Sequence, residues 1–286
     1  MQNHDLSERH ACHLFQISRS VYRYEVVEKD DSVIQELLSR LAASKPRWGF
    51  KKMFDWIRNQ GYKWNHKRVK RVYRDLKLNL RIKPKKRLPA RNPIPLAQPA
   101  AQNHSWSVDF MSDALDSGRS FRTFNVIDDF SREALWIEID TSLPAARVVR
   151  VLENLAEWRG FPKSIRMDNG PELISSKLEY WADTHGVLLN HIEPGKPAQN
   201  AYIERFNRTY REEVLDLYLF ESLAQVRAIT DEWIDEYNID RPHQALGGLT
   251  PYEFARQVAN AAAQSPHRQI VQDNNESLPL SSQAKA

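Results

Sequence analysis

The sequence is almost without cysteine. Its 286 residues include one, Cys12, which excludes an internal disulfide and any multi-cysteine zinc site and fits a reducing, cytosolic setting. Histidine offers no substitute cluster: His185, His191 and His243 are too dispersed for a zinc site and read as structural or surface residues. No apolar run approaches the roughly 18 residues of a membrane-spanning helix. The first twenty residues carry Asp5, Glu8, Arg9 and His10 and no apolar block, so they do not read as a signal peptide. No heptad run marks a coiled coil. The chain does contain 41% apolar residues, with ten Tyr, eleven Phe and eight Trp, ample for a core. Its length suits one large or two modest domains.

The net charge of +4 conceals a segregation. Residues 1–104 hold 23 Lys/Arg against 9 Asp/Glu, and the remainder holds 18 against 28. Such a split suggests a basic module for a polyanion and a separate acidic module. Residues 45–91 are the most basic part, with 18 Lys/Arg against Asp55 and Asp75. There "FKKMFDWIRNQ" reads as a helix ended by Gly61, and Asn65 caps a second, "HKRVKRVYRDLKL". Val69, Val72, Tyr73 and Leu76 form the inner face of the second helix, while Lys67, Lys70, Arg71 and Arg74 form its outer face. Helix, glycine turn and basic-faced helix is how a helix-turn-helix enters a major groove. The alternative is a basic amphipathic helix on a solvated surface.

Upstream, residues 7–25 predict two short helices with Ser7 and Ser18 at their N-caps. They read equally as a small helix-turn-helix or a plain helical hairpin. Residues 30–43 predict another helix. Downstream, the five prolines of residues 83–103 forbid helix or central strand and predict a basic linker. Then follow three strands, a helix, a strand, a helix, a strand and further helices, the order of a mixed sheet covered by helices. "SWSVDFM" alternates, with Trp106, Val108 and Phe110 on one face and Ser107 and Asp109 on the other. "AQNAYIERFNRTYREEVLDL" predicts one long helix, and "TPYE" at 250–253 has the spacing of a capping box. The tail is rich in Ser, Gln and Asn and predicts disorder. The expected division is 1–44 helical, 45–82 basic helix-turn-helix, 83–103 linker, 104–260 core and 261–286 tail.

Three carboxylates stand out. Asp109 lies on a strand of Ser, Trp, Val and Phe, where an unpaired acid would be costly. Asp168 in "IRMDNGPELIS" ends the fourth strand, where the Asn-Gly-Pro that follows could mean a plain turn or a carboxylate placed at a strand tip. Glu204 lies on the long helix, 35 residues intervening after Asp168. On that helix Asn200 and Arg208 flank Glu204 at i±4, and Arg211 lies about two turns on.

These motifs carry a resemblance. "WGFKKMFDWIRNQGYKWNHKRVKRVYRDLKL" resembles the second helix-turn-helix of insertion-sequence transposases of the retroviral-integrase superfamily. "WSVDF", "VIDDFSREAL", "RMDNGPEL", "PGKPAQNAYIERFNRTYREEVL" and "YNIDRPHQALGGLTPYEF" are similar to that family's successive core motifs. The nearest likeness is to the downstream-frame product (OrfB) of the three-type insertion elements. The resemblance implies an α/β fold: a ribonuclease H-like mixed five-stranded sheet flanked by helices, preceded by an all-α helix-turn-helix region. It assigns Asp109, Asp168 and Glu204 as a metal-binding catalytic triad. It implies Mg²⁺ or Mn²⁺, two ions per site, and double-stranded DNA as partner, both the element's terminal inverted repeats and the target. The residues expected to meet DNA are Lys67, Arg68, Lys70, Arg71 and Arg74, and in the core Lys196, Asn200, Arg208 and Arg211. A homo-oligomer on DNA, a frameshift fusion with an upstream-frame product (OrfA) and a cytoplasmic, nucleoid-associated location are also implied.

The chemistry suits the residues. Cleavage and joining of phosphodiesters need an activated nucleophile and a stabilised leaving oxygen, and two hard cations about 4 Å apart supply both. Magnesium takes carboxylate, water and phosphate oxygens. Two other functions use the same features: a catalytically silent DNA-binding regulator, and a metal-dependent nuclease acting on RNA–DNA hybrids.

Overall fold

Small polar side chains start the helices of the N-terminal part. The structure, a computed structural model, describes residues 7–25, 30–81, 96, 98–193 and 197–263. Ser7 Oγ accepts from the His10 amide at 3.3 Å to open α1 (Glu8–Leu14), and Ser18 Oγ accepts from Val21 at 3.2 Å to open α2 (Arg19–Tyr22). Helices α3 (Ser32–Ser44), α4 (Phe50–Asn59) and α5 (His66–Asp75) then share one apolar cluster, with Ile34, Leu38, Met53, Ile57, Val69 and Val72 inside. Gly61, at φ 89°, makes the turn between α4 and α5, and Asn65 Oδ1 accepts from the Lys67 amide at 2.8 Å to cap α5. Asp31, at the N-cap position of α3, is held by Arg71 and by Arg68 Nε at 2.6 Å, which ties α5 to α3.

The core is a five-stranded mixed sheet. Its strands are β1 (Ser105–Ala114), β2 (Ser120–Asp128), β3 (Ala134–Asp140), β4 (Ser164–Met167) and β5 (Leu188–His191), in spatial order β3-β2-β1-β4-β5. The first three form an antiparallel meander, and β4 and β5 continue from β1 in parallel. Parallel neighbours need crossover connections, supplied by α6 (Ala145–Arg159) and α7 (Ser176–His185). These pack on one face with Trp106, Val108, Ile165 and Met167. Helices α8 (Ala201–Tyr210) and α9 (Leu223–Ile239) pack on the other with Phe121, Ile127 and Ile139. Covering both faces explains why β1 is not polar on one side. Ser107 is fully buried and donates to Asp129 at 2.5 Å.

The long helix expected over "AQNAYIERFNRTYREEVLDL" runs unbroken from Pro197 to Leu215 but changes type along its length. A 3₁₀ turn (Pro197–Asn200) precedes α8, and a π-type turn (Arg211–Leu215) follows it. Thr250 and Glu253 do form a reciprocal capping box, at 2.9 and 3.1 Å, at the start of α10 (Pro251–Ala263). Most of the expected linker, and all of the tail past residue 263, lie outside the described residues. Among the described residues no helix is long and apolar enough to cross a membrane.

The helical module rests against the core. Asn59 Nδ2 donates to the Gly248 carbonyl at 3.0 Å, and Lys45 pairs with Glu236. Gly248 has φ 91°, a backbone conformation that favours glycine, and it packs beside the Asp55 carboxyl.

Leu155 of α6 is fully buried in the larger cluster. Leu155→Ala should lower stability by about 2–5 kcal/mol, read by urea unfolding, with an unchanged circular dichroism spectrum for the folded protein.

Candidate active site

The sheet register brings two of the acids together. Ser107 pairs with Arg166 across the parallel β1–β4 ladder. Two residues further along each strand stand Asp109 and Asp168, on neighbouring strands about 4.8 Å apart. Glu204 comes from the first turn of α8, which packs on β1.

Asp109 is the most constrained of the three. Its Oδ1 accepts from the Phe110 amide at 2.8 Å, and its Oδ2 accepts from Asn207 Nδ2 at 2.8 Å. Asn207 Oδ1 in turn accepts from Asn125 Nδ2 at 2.7 Å, and Asn125 is the residue directly opposite Asp109 on β2. Burial pushes the Asp109 carboxyl up to about 6, with Asp168 and Glu204 adding to the rise and the two donors opposing it. Both other acids are therefore within electrostatic reach of Asp109.

Asp168 sits in a turn that also presents a carboxylate. Its Oδ1 accepts from the Gly170 amide at 3.0 Å, and a Cβ on Gly170 would crowd that oxygen at 3.1 Å. Asn169 Nδ2 donates to the Ile192 carbonyl at 2.9 Å, which fastens the strand tip to the end of β5. Beyond it Glu172 pairs with Arg122 of β2, which holds the Glu172 carboxyl below its ordinary range. The Arg122 guanidinium also lies 4.5 Å from the centre of the Phe110 ring. Glu204 is exposed on its helix. Among the described residues, no three Asp, Glu, His or Cys side chains stand close enough to cage a metal ion as they are.

The adjacent acids Asp128 and Asp129 contrast with these. Both are fully buried, yet Asp128 accepts from the amides of Asn103, Phe130 and Ser131, and Asp129 from Ser105, Ser107 and Arg166. Their oxygens are committed, so they serve the fold.

The residues expected to meet DNA are dispersed. Asn200 is buried, its Nδ2 3.5 Å from the Val108 carbonyl and its Oδ1 without a partner. Arg208 is exposed, with no ion pair among the described residues. Arg211 lies in the π-type turn, not two regular α turns above Glu204, and donates to Asp113 Oδ2 at 3.0 Å and to the Ser112 carbonyl at 2.9 Å. Lys196 lies outside the described residues. In α5, Lys67, Lys70, Arg71 and Arg74 line one shallow hollow, whereas Arg68 is half-buried and spent on Asp31.

Sequence reasoning passed over Asn125, Asn207, Arg122 and Glu172. One signal was available for Asn207: an amide on the buried stripe of Ile203, Phe206 and Tyr210, three residues after Glu204.

A central carboxylate strand, a second acid at a neighbouring strand tip, a third on a packed helix and a basic helical module together define an integrase-type core joined to a DNA-binding module. Comparisons with known proteins agree. A family described as an HTH-like domain matches residues 28–86, and two described as integrase core domains match 99–197 and 185–251. The 31.7 kDa protein of insertion element IS407 from Burkholderia multivorans is 40% identical over 269 residues, covering 93% of this chain and 97% of that protein. The 39.2 kDa protein of insertion element IS476 from Xanthomonas euvesicatoria is 37% identical over 272 residues, covering 93% and 79%. The transposase InsD of insertion element IS2D from Escherichia coli is 24% identical over 242 residues, covering 80% of each. The chain belongs to the insertion-sequence transposases of the DDE integrase superfamily. Its role is that of a DNA transposase, in a family of polynucleotidyl transferases.

The raised Asp109 has a testable sign. Native Asp109 keeps its proton up to about pH 6, above the ordinary 3.8, so its contribution to stability is present at low pH and is lost as pH rises through about 6. With chelator present, the melting temperature of the wild type should rise relative to Asp109→Asn as pH falls from about 7.5 to about 5. A constant difference across that range would show that Asp109 is not strained.

Proposed function

We propose that this chain catalyses metal-dependent phosphodiester cleavage and strand transfer at the ends of a mobile insertion element. The observation that carries the reading is the Asp109 carboxyl, half-buried, doubly hydrogen-bonded and pushed up first by burial and then by Asp168 and Glu204. Three acids so arranged hold more negative charge than their surroundings relieve, and oxygen-only donors suit a hard divalent cation. Asp109, Asp168 and Glu204 would hold Mg²⁺ or Mn²⁺, two ions in the reading proposed here. Bound there, the ions activate water or a 3′-hydroxyl and stabilise the leaving oxygen.

The protein's own groups do the rest. Asn207 and the Phe110 amide fix both Asp109 oxygens. Gly170 leaves room at Asp168 for an approaching backbone. Glu204 is exposed on the surface of α8. No Tyr or Ser nucleophile is needed, and no covalent protein–DNA intermediate forms. Lys67, Lys70 and Arg74 face outward for duplex phosphates, with Arg208 nearer the acids. Terminal repeats and target DNA are the partners in this reading, with assembly as a homo-oligomer on DNA or as a fusion with an upstream-frame product.

A strand-transfer assay with terminal-repeat DNA and Mg²⁺ tests the reading. The wild type should cut and join, whereas Asp168→Asn and Glu204→Gln should each lose joining while DNA binding stays largely intact. Binding without cutting would make the chain a regulator, and cutting without joining a nuclease. Retained joining in either variant would end the triad assignment.

The two helix arginines separate in the same assay. Arg208 has no ion pair among the described residues, whereas Arg211 must leave Asp113 to reach DNA. Arg208→Ala should therefore reduce joining more than Arg211→Ala. The reverse order would show that the Asp113 pair opens on DNA.

A further inference from the structure

A second charged site lies away from the acids. Between α8, α4 and the segment after α9 there is a cleft of about 330 Å³. Lys52 enters it from α4, Arg132 from the β2–β3 turn, Arg205 from α8 and Arg241 from beyond α9. The positive charge exceeds what nearby carboxylates neutralise. Glu213 accepts from Arg241 and stands 3.9 Å from Lys52, so one acid serves two cations. Arg132 donates to the Asp129 carbonyl oxygen and stacks 3.4 Å from the centre of the Tyr202 ring. Among the described residues Arg205 has no carboxylate partner and is exposed.

The interior of the cleft is crowded with cations around a neutral histidine. His243 hydrogen-bonds the Tyr237 backbone, and its buried Nε2 has no hydrogen-bond partner among the described residues. Burial, then Arg241 and Lys52, hold its imidazole down to about 3, and burial with Arg241 holds the Lys52 ammonium down to about 8. Cations that depress one another mark a place where positive charge exceeds its neutralisation, and the neutral His243 adds packing to the cleft but no donor for an anion. Arg205 follows Glu204 directly, about 100° round the helix, so the cleft opens on a different side of α8 from the acids. Lys52 belongs to the helical module that also carries the basic hollow of α5.

We propose that this cleft grips a backbone phosphate of the DNA, a contact shared by the helical module through Lys52 and the core through Arg132, Arg205 and Arg241. The proposal rests on the DNA-transposition reading above. Guanidinium groups grip phosphate oxygens with paired hydrogen bonds, and Gln244 stands exposed at the mouth of the cleft. The "RPH" of the "YNIDRPHQALGG" motif thereby gains a role: Arg241 and His243 form the inner wall.

The test uses the full chain, a terminal-repeat duplex and fluorescence anisotropy over a salt series with chelator present. Arg205→Ala should weaken binding and make the slope of log K against log salt shallower by about 0.9, the value for one lost phosphate contact. Arg205→Lys should restore the slope, and Gln244→Glu should weaken binding by placing a carboxylate at the mouth. Arg150→Ala, an exposed change on α6 across the sheet, should keep the wild-type slope. Wild-type slopes for both Arg205→Ala and Gln244→Glu would overturn the proposal, as would an equal loss with Arg150→Ala. A melting temperature raised by inorganic pyrophosphate in the wild type but not in Arg205→Ala, with identical DNA slopes, would assign the cleft to free polyphosphate and overturn the DNA contact. Because the readout is metal-free binding, failure of the triad in the strand-transfer assay leaves this result standing, and the reverse also holds.

Discussion

A carboxylate in the middle of a covered sheet must be given donors, and much of the core follows from how Asp109 obtains them. One comes from the next amide in its own strand. The other comes from Asn207, itself held by Asn125 on the neighbouring strand. That relay locks α8 onto the sheet at one rotation. Glu204, one turn earlier on the same helix, is placed as a consequence. An apolar residue at 207 would pack as well, but it would leave the Asp109 carboxylate with a single donor and cost free energy. Polarity at position 207 therefore determines where the exposed acid stands.

Neighbouring acids show the other outcome. Asp128 and Asp129 are more deeply buried than Asp109, yet each is surrounded by hydroxyls, amides or guanidinium groups. Their oxygens are saturated, whereas Asp109 has two donors and feels the charge of two other acids. Burial raises both Asp109 and Asp129; what differs is the donor count and the sign of the nearby charge.

Charge also organises the contact between the two parts of the chain. The excess of Lys and Arg in the first 104 residues is not all directed to solvent. Lys45 turns inward to Glu236, while Arg68 and Arg71 brace α5 against Asp31. What remains outward on α5 is Lys67, Lys70 and Arg74. A basic count thus overstates the surface available to a polyanion, because part of it holds the module together and fixes it to the core.

The sequence by itself determined the local features. Ser7, Ser18 and Asn65 cap helices, Gly61 makes a turn, Thr250 and Glu253 form a capping box, and the succession of strands and helices is the one observed, because each depends on residues within a few positions of one another. The candidate acids were legible too, as polar residues out of keeping with their apolar surroundings. Tertiary structure decided the rest. The alternation in β1 predicted a polar face, but helices on both sides of the sheet removed it and left Ser107 buried. The helix after Asn200 continues as expected, but at Arg211 it widens into a π-type turn, and Arg211 pairs with Asp113, 98 residues away in sequence. Asn125 and Asn207 are 82 residues apart, and Lys52 lies far along the chain from the other cations of its cleft. Periodicity and capping are short-range effects that a sequence records directly. Donor relays, ion pairs and charged clefts depend on which distant segments the packed core brings side by side.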